Sequence, residues 1–215
     1  MTKPYKEADL RDQLTQDRSW RLKEISDLKS ATLRADPGLR NVLLRALITI
    51  CYAHWEGYVR FASRKYLEHI ALRKLPYGQL DRQFLRNHFL PRLGSLSSSR
   101  ASVSDRCDLV DEILNASDRR FSRVNDDIVN TRSNLNYMVF SDICLVCGVP
   151  MESFANQEIF IDRLLLKRRN AIAHGEDTLV GIEDLETLTT QTIALMRGFG
   201  DALENRISLR GYMAA

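Results

Sequence analysis

The sequence predicts an all-α fold, a helical bundle of five or more helices, and three observations carry that prediction. Five prolines and ten glycines are few for 215 residues, so helix breakers are scarce. Apolar residues recur every three or four positions through long breaker-free stretches, which is the period of one helix face. No run alternates apolar and polar residues with β-branched enrichment for long enough to form a sheet. Hydrophobic residues at 44%, charged residues at 27% and a mean hydropathy of −0.28 exclude a disordered or fibrous chain.

The elements follow in order. Leu10, Leu14, Leu22, Ile25 and Leu28 recur at helical spacing and give a first helix, ended by the turn Asp36-Pro37-Gly38. Residues 1–38 therefore read as an N-terminal helix packing on a main domain that spans 39–208. The second helix starts at Leu39 and is apolar on nearly all sides through Val42, Leu43, Leu44, Leu47, Ile48 and Ile50. It then narrows to a stripe of Trp55, Val59, Ala62, Tyr66 and Ile70, so its first half is expected at the centre of the bundle, and it ends near Pro76-Tyr77-Gly78. Residues 91–104 contain six serines and read as a surface loop inserted into the domain. Helices are expected at about 106–116, at 132–147 before the stop Gly148-Val149-Pro150, and at 157–174 before Gly175. The last helix begins near Ile182 and carries Leu185, Leu188, Leu195, Phe199, Leu203 and Ile207.

Four cysteines without a leader do not make a disulfide framework, so a reducing cytoplasm is the expected setting. The longest apolar stretch, Ala46–Ala53 with Thr49 within it, is too short to cross a bilayer, so no membrane association is expected. The charge balance of 31 Lys+Arg against 28 Asp+Glu gives +3, too little by itself to imply a polyanionic partner. The type and position of the charges say more. Arginine accounts for 24 of the 31 basic residues, and its planar fork matches phosphate. Ten basic residues against three acidic ones lie between Arg60 and Arg106, whereas seven acids against Arg197 lie between Glu176 and Asn205. Such a separation either steers a nucleic acid toward one face or lets the two stretches face each other in the bundle.

Chemistry concentrates in Ile161-Asp-Arg-Leu-Leu-Leu-Lys-Arg-Arg-Asn-Ala-Ile-Ala-His-Gly175, an amphipathic helix ending in Lys167, Arg168, Arg169, Asn170 and His174. Asn170 and His174 are four apart and share a face, while Arg169 lies about 140° round from His174 on the helical repeat. A guanidinium on its long stem can still reach a phosphate held by the imidazole, above all where the last turn unwinds before Gly175. Arginine neutralises phosphoryl charge and histidine exchanges a proton near neutral pH, a pairing that requires no metal. The opposing reading is a helix C-terminus whose cations answer the macrodipole.

Arg169-Asn170-Ala-Ile-Ala-His174 resembles the motif of the HEPN superfamily (higher eukaryotes and prokaryotes nucleotide-binding). Two further patches, Tyr52-Ala-His-Trp-Glu-Gly-Tyr58 and Ser133-Asn-Leu-Asn136, are similar to those of prokaryotic HEPN ribonucleases of defence and toxin–antitoxin systems. The resemblance covers roughly residues 40–205. It implies a HEPN-like bundle that forms a homodimer whose arginines and histidines line one cleft, and a metal-independent endoribonuclease that uses no cofactor. On that reading the ribose 2′-hydroxyl attacks phosphorus, with His174 as general acid/base, Arg169 on the developing charge and Asn170 as orienting partner. Lys167 and Arg168 are added as RNA contacts, and an antitoxin or other defence-system protein as a partner. The alternative within the superfamily is a non-catalytic module that binds RNA or a partner protein. Many HEPN toxins carry a modifiable tyrosine two residues after the histidine, and here that position is Glu176.

The remaining candidates have plainer readings. Cys144-Leu-Val-Cys147 is half of a zinc site without the other half, so two buried helical cysteines are expected. His54 reads as a core histidine, and His69 and His88 have no company that suggests chemistry. Glu56, in a mostly buried helix, needs a partner, either an arginine held for structure or the catalytic side chains it helps to hold.

Overall fold

A computed structural model describes residues 3–96, 102–132 and 134–214. Seven α-helices account for most of the described residues: α1 (Glu7–Arg34), α2 (Pro37–Ala71), α3 (Arg82–Leu96), α4 (Val103–Leu114), α5 (Tyr137–Cys147), α6 (Arg168–Ala173) and α7 (Asp184–Ser208). A π-helical stretch, Phe160–Lys167, runs directly into α6. The all-α expectation holds, and no strand occurs among the described residues.

The turn read from Asp36-Pro37-Gly38 is the start of α2. The Asp36 carboxylate accepts from Gly38 N at 3.0 Å and Leu39 N at 3.1 Å, and Pro37 supplies a first position that has no N–H to satisfy. α1 and α2 form an antiparallel hairpin, and α7 lies against both. Lys29 meets Glu186, Arg18 meets Asp201 and Arg11 meets Glu204, so α7 runs antiparallel to α1 and parallel to α2. Between them lie the fully buried Leu47, Ile48, Trp55, Tyr58, Val59, Tyr66 and Phe199.

Two sequence readings need correction. The first turns of α2 are not the centre of the bundle: Leu39 and Val42 are exposed, as is Leu33 at the end of α1. The Lys29–Glu186 pair marks the level at which α7 begins, and the tip of the hairpin projects past it. Burial is heaviest from Leu44 to Ala71 instead. The second correction is α3, a helix that the sequence pattern does not announce. Its Phe84 and Phe89 are buried, and it continues through Pro91 to Leu96 although proline removes one helical hydrogen bond. The segment assigned to a serine-rich loop therefore begins inside α3, and its far end opens α4, where the Ser102 hydroxyl accepts from Asp105 N at 3.1 Å. Its centre, 97–101, lies outside the described residues.

α5 ends as expected at Gly148, whose φ of +67° is the left-handed conformation that glycine adopts without strain. Cys144 and Cys147 are both buried on α5, and burial pushes the Cys147 thiol up to about 12, so both read as core thiols. His54 is a core residue, buried with Nε2 2.8 Å from a Glu24 carboxylate oxygen.

His69 does more than its sequence setting suggests. It is fully buried on α2, its Nδ1–H donating to the Pro4 carbonyl at 2.7 Å and its Nε2 accepting from Arg73 at 2.8 Å, which anchors the segment before α1. Both bonds use the neutral ring. Burial holds its pKa below the ordinary histidine value, the Pro4 bond acting against burial and the nearby Arg73 charge acting with it. The unfolded chain then binds more protons below about pH 6.5, so this contribution to stability is whole above that pH and is lost as pH falls toward the native pKa. Thermal unfolding from about pH 7.5 down to about pH 5 should therefore show a falling midpoint, with a shallower fall in His69→Gln. Equal slopes would remove the role assigned to His69.

Candidate active site

Three chain segments meet at Arg169. α6 follows the π-helical stretch, whose Phe160, Ile161 and Leu165 are buried in the core and orient the helix that leaves it. π-helical turns of this kind recur at functional sites. The half-buried Arg169 guanidinium lies over the Tyr52 ring of α2, 4.0 Å from its centroid, and Nη2 donates to Asn134 Oδ1 at 3.3 Å. Tyr52 in turn accepts the Leu135 backbone N–H at 2.6 Å through its hydroxyl. Burial raises the Tyr52 pKa and the Glu56 carboxylate raises it further, while the hydrogen bond with Arg169 acts against both. The phenol stays neutral and offers the cation a π face.

Around this contact is an open cavity of about 450 Å³ lined by Thr49, Tyr52, Glu56, Arg60, Thr131 and Arg169, among others. The Tyr52 and Asn134 patches thus converge on Arg169, while Ser133 lies outside the described residues. Glu56 is half-buried and faces the same cavity.

His174 sits elsewhere on α6. It is the C-cap, exposed, and five residues after Arg169 it stands about 7.5 Å further along the helix axis on the helical rise. Its backbone N–H donates to the Asn170 carbonyl at 2.9 Å, and Asn170 is half-buried. α6 stays helical through Ala173, so the turn before Gly175 is not unwound. Gly175 has a φ of +79° and closes the helix, with Gly175 N donating to Ile172 O at 3.1 Å and Glu176 N to Ala171 O at 2.9 Å. Arg45 of α2 then holds the following loop, donating to Glu176 O at 3.0 Å and Thr178 O at 3.2 Å. Lys167 is exposed, whereas Arg168 is half-buried in an ion pair with Asp184 at 2.7 Å.

Sequence reading does not single out Tyr52, Thr49, Arg60 or Arg45 as site residues. A signal is present for the first three. Thr49, Tyr52, Glu56 and Arg60 follow one another at three- and four-residue spacing, a polar stripe on an otherwise apolar helix. The charge separation has a structural side as well. Among the described residues Glu186, Asp201 and Glu204 of α7 pair with Lys29, Arg18 and Arg11 of α1, and Asp184 pairs with Arg168, so these four acids are answered outside the basic stretch 60–106.

An all-α bundle in which a helix end carrying arginine and histidine meets polar patches from two other parts of the chain is the arrangement expected of a HEPN module. The RiboL-PSP-HEPN family model matches residues 16–205, and the chain belongs to that family. The match takes in most of α1 as well as the 40–205 span recognised from the motifs. No curated protein and no solved structure matches the chain. No helix among the described residues is long and apolar enough to cross a membrane.

Proposed function

We propose that the protein is a metal-independent endoribonuclease working as a homodimer. The observation that carries this reading is the convergence of the Tyr52 and Asn134 patches on Arg169, which leaves a guanidinium preorganised at the wall of an open cavity. The 2′-hydroxyl attacks the adjacent phosphorus, the 5′-oxygen leaves, and the products are a 2′,3′-cyclic phosphate and a 5′-hydroxyl. His174 moves the proton, Arg169 binds the charge that develops on the phosphoryl oxygens, and Asn170 orients the ring from one turn earlier. Lys167 is a further contact for RNA, whereas Arg168 is already engaged with Asp184.

Within one subunit His174 lies outside the Arg169 cavity, which is where the second copy enters. Leu39 and Val42, within two turns of Arg45 on α2, and Leu179, beyond the loop that Arg45 holds, are exposed apolar side chains. Docking two copies through that face brings the two histidines toward one cleft. The same separation favours the second reading, a non-catalytic module that binds RNA or a partner protein. A toxin or defence role, with an antitoxin partner, belongs to the first reading.

Incubation of the purified protein with RNA in EDTA should yield cyclic-phosphate ends, and His174→Ala and Arg169→Ala should each lower the rate by at least about 100-fold. Cleavage that survives both substitutions would overturn the site assignment. RNA binding without product from the wild type would establish the second reading.

A further inference from the structure

The Arg169 cavity does not end at Arg60. It shares Ala53, Gly57 and Arg60 with a groove of about 980 Å³ bounded by α1, α2 and the segment Ser122–Val124. Six basic side chains line that groove against Asp17 and Glu68. Part of the charge is already answered, because Arg21 is bound to Asp17 at 2.7 Å and Lys65 to Glu68 at 2.8 Å. Arg60 and Arg123 are exposed, and neither forms an ion pair among the described residues. Gly57 keeps the groove floor open to Arg21, since a Cβ there would stand 2.6 Å from Arg21 Nη1.

At its far end the groove shares Arg123 and Val124 with a second cavity of about 610 Å³. This one is mainly apolar and aromatic. The His88 ring is exposed and lies 5.4 Å from that of Tyr77, which is 6.0 Å from Phe121; Leu67 and Ile128 add to the apolar wall, and the lining also holds Arg92, Asn125 and the exposed Asp127. Its volume and lining suit a flat heteroaromatic group with a polar edge. From Tyr52 to Leu67 the helical rise gives about 22 Å, so the three compartments follow α2 for a little over four turns.

We infer that this face is an extended track for single-stranded RNA, in which Arg60 and Arg123 hold backbone phosphates and the pocket at His88 takes one unstacked nucleobase several residues from the reacting bond. The inference rests on the proposed ribonuclease reading and adds to it a site that selects the strand. A duplex does not fit the arrangement, because its bases stay stacked and paired while the pocket accepts one ring at a time.

The test uses the full-length His174→Ala protein, which retains every track residue, and a fluorescent single-stranded RNA oligonucleotide titrated over a series of salt concentrations. Arg60→Ala with Arg123→Ala should weaken binding at least about tenfold and flatten the slope of log affinity against log salt by about 0.7 for each phosphate no longer neutralised. His88→Ala should weaken binding to that RNA by about fivefold or more and leave unchanged the binding of an oligonucleotide of the same length without bases. All three side chains are exposed, and thermal unfolding checks that the fold is retained. If the His174→Ala protein binds RNA and the substitutions change neither affinity nor slope, the track is wrong while the ribonuclease reading stands. If that protein binds no RNA at all, both fall.

Discussion

Arg169→Lys is expected to lose RNA cleavage almost as completely as Arg169→Ala, by about 10²- to 10³-fold, although the positive charge is retained. The guanidinium does two things at once in this fold. Its plane lies on the Tyr52 ring, 4.0 Å from the centroid, and one edge donates to Asn134 Oδ1 at 3.3 Å. An ammonium is a compact point charge with no plane to stack and no fixed fork, so it cannot satisfy Tyr52 and Asn134 and also present donors to a phosphoryl oxygen. Removing one preorganised donor from a developing oxyanion typically costs about 3–4 kcal/mol of transition-state stabilisation. On the proposed chemistry the loss falls in kcat, and RNA affinity of the Lys variant stays near that of the wild type. Single-turnover cleavage beside equilibrium binding separates the two, and a lysine variant with wild-type turnover would show that charge alone suffices. Tyr52→Phe keeps the π face under Arg169 but removes the hydroxyl, so it should leave the buried Leu135 N–H without its acceptor and take one hydrogen bond from the guanidinium.

The parts of this fold that can be read from sequence are those decided by neighbours a few residues apart. Asp36 and Pro37 start α2, and Gly148 and Gly175 end their helices, because caps and left-handed turns depend on local backbone chemistry. The exposure of Leu39 and Val42 cannot be read this way. It depends on where α7 begins, much later in the chain, and an apolar pattern carries no record of how far a covering helix extends. α3 escapes a sequence reading because Pro91 and the serines after it outweigh a short apolar pattern whose burial comes from partners such as Leu109 and Ala116. The site divides in the same way. Arg169, Asn170, His174 and the two flanking patches stand out in the sequence, but the meeting of Arg169 with Tyr52 and Asn134 is a tertiary fact. So is the exposure of His174 away from that cavity, which gives the dimer its place in the proposed mechanism.

The same dependence on long-range packing makes Phe140 the side chain whose loss should cost the fold most. Phe140 is fully buried on α5 and meets three aromatic rings edge-on: Trp55 of α2 at 4.9 Å, Phe154 at 5.1 Å and Phe199 of α7 at 5.5 Å. Truncation of a buried phenylalanine to alanine removes about 3–5 kcal/mol, and each such ring pair adds about 0.5–1.5 kcal/mol beyond area burial. Domains of this size are stable by only about 5–15 kcal/mol, so Phe140→Ala should bring a large share of the molecules close to unfolding at about 25 °C. In urea the midpoint should drop sharply with the slope unchanged, as expected when the same surface is exposed from a weakened native state. Phe140→Leu refills most of the space and should fall between the two. The site is affected through the same helix: α5 follows closely on Asn134 and Leu135, which hold Arg169 and Tyr52, so loosening α5 releases the guanidinium from its second partner. Cleavage by Phe140→Ala should therefore decline at temperatures where circular dichroism still reports a folded chain. An unchanged urea midpoint would show that α5 is not held to α2 and α7 through this ring.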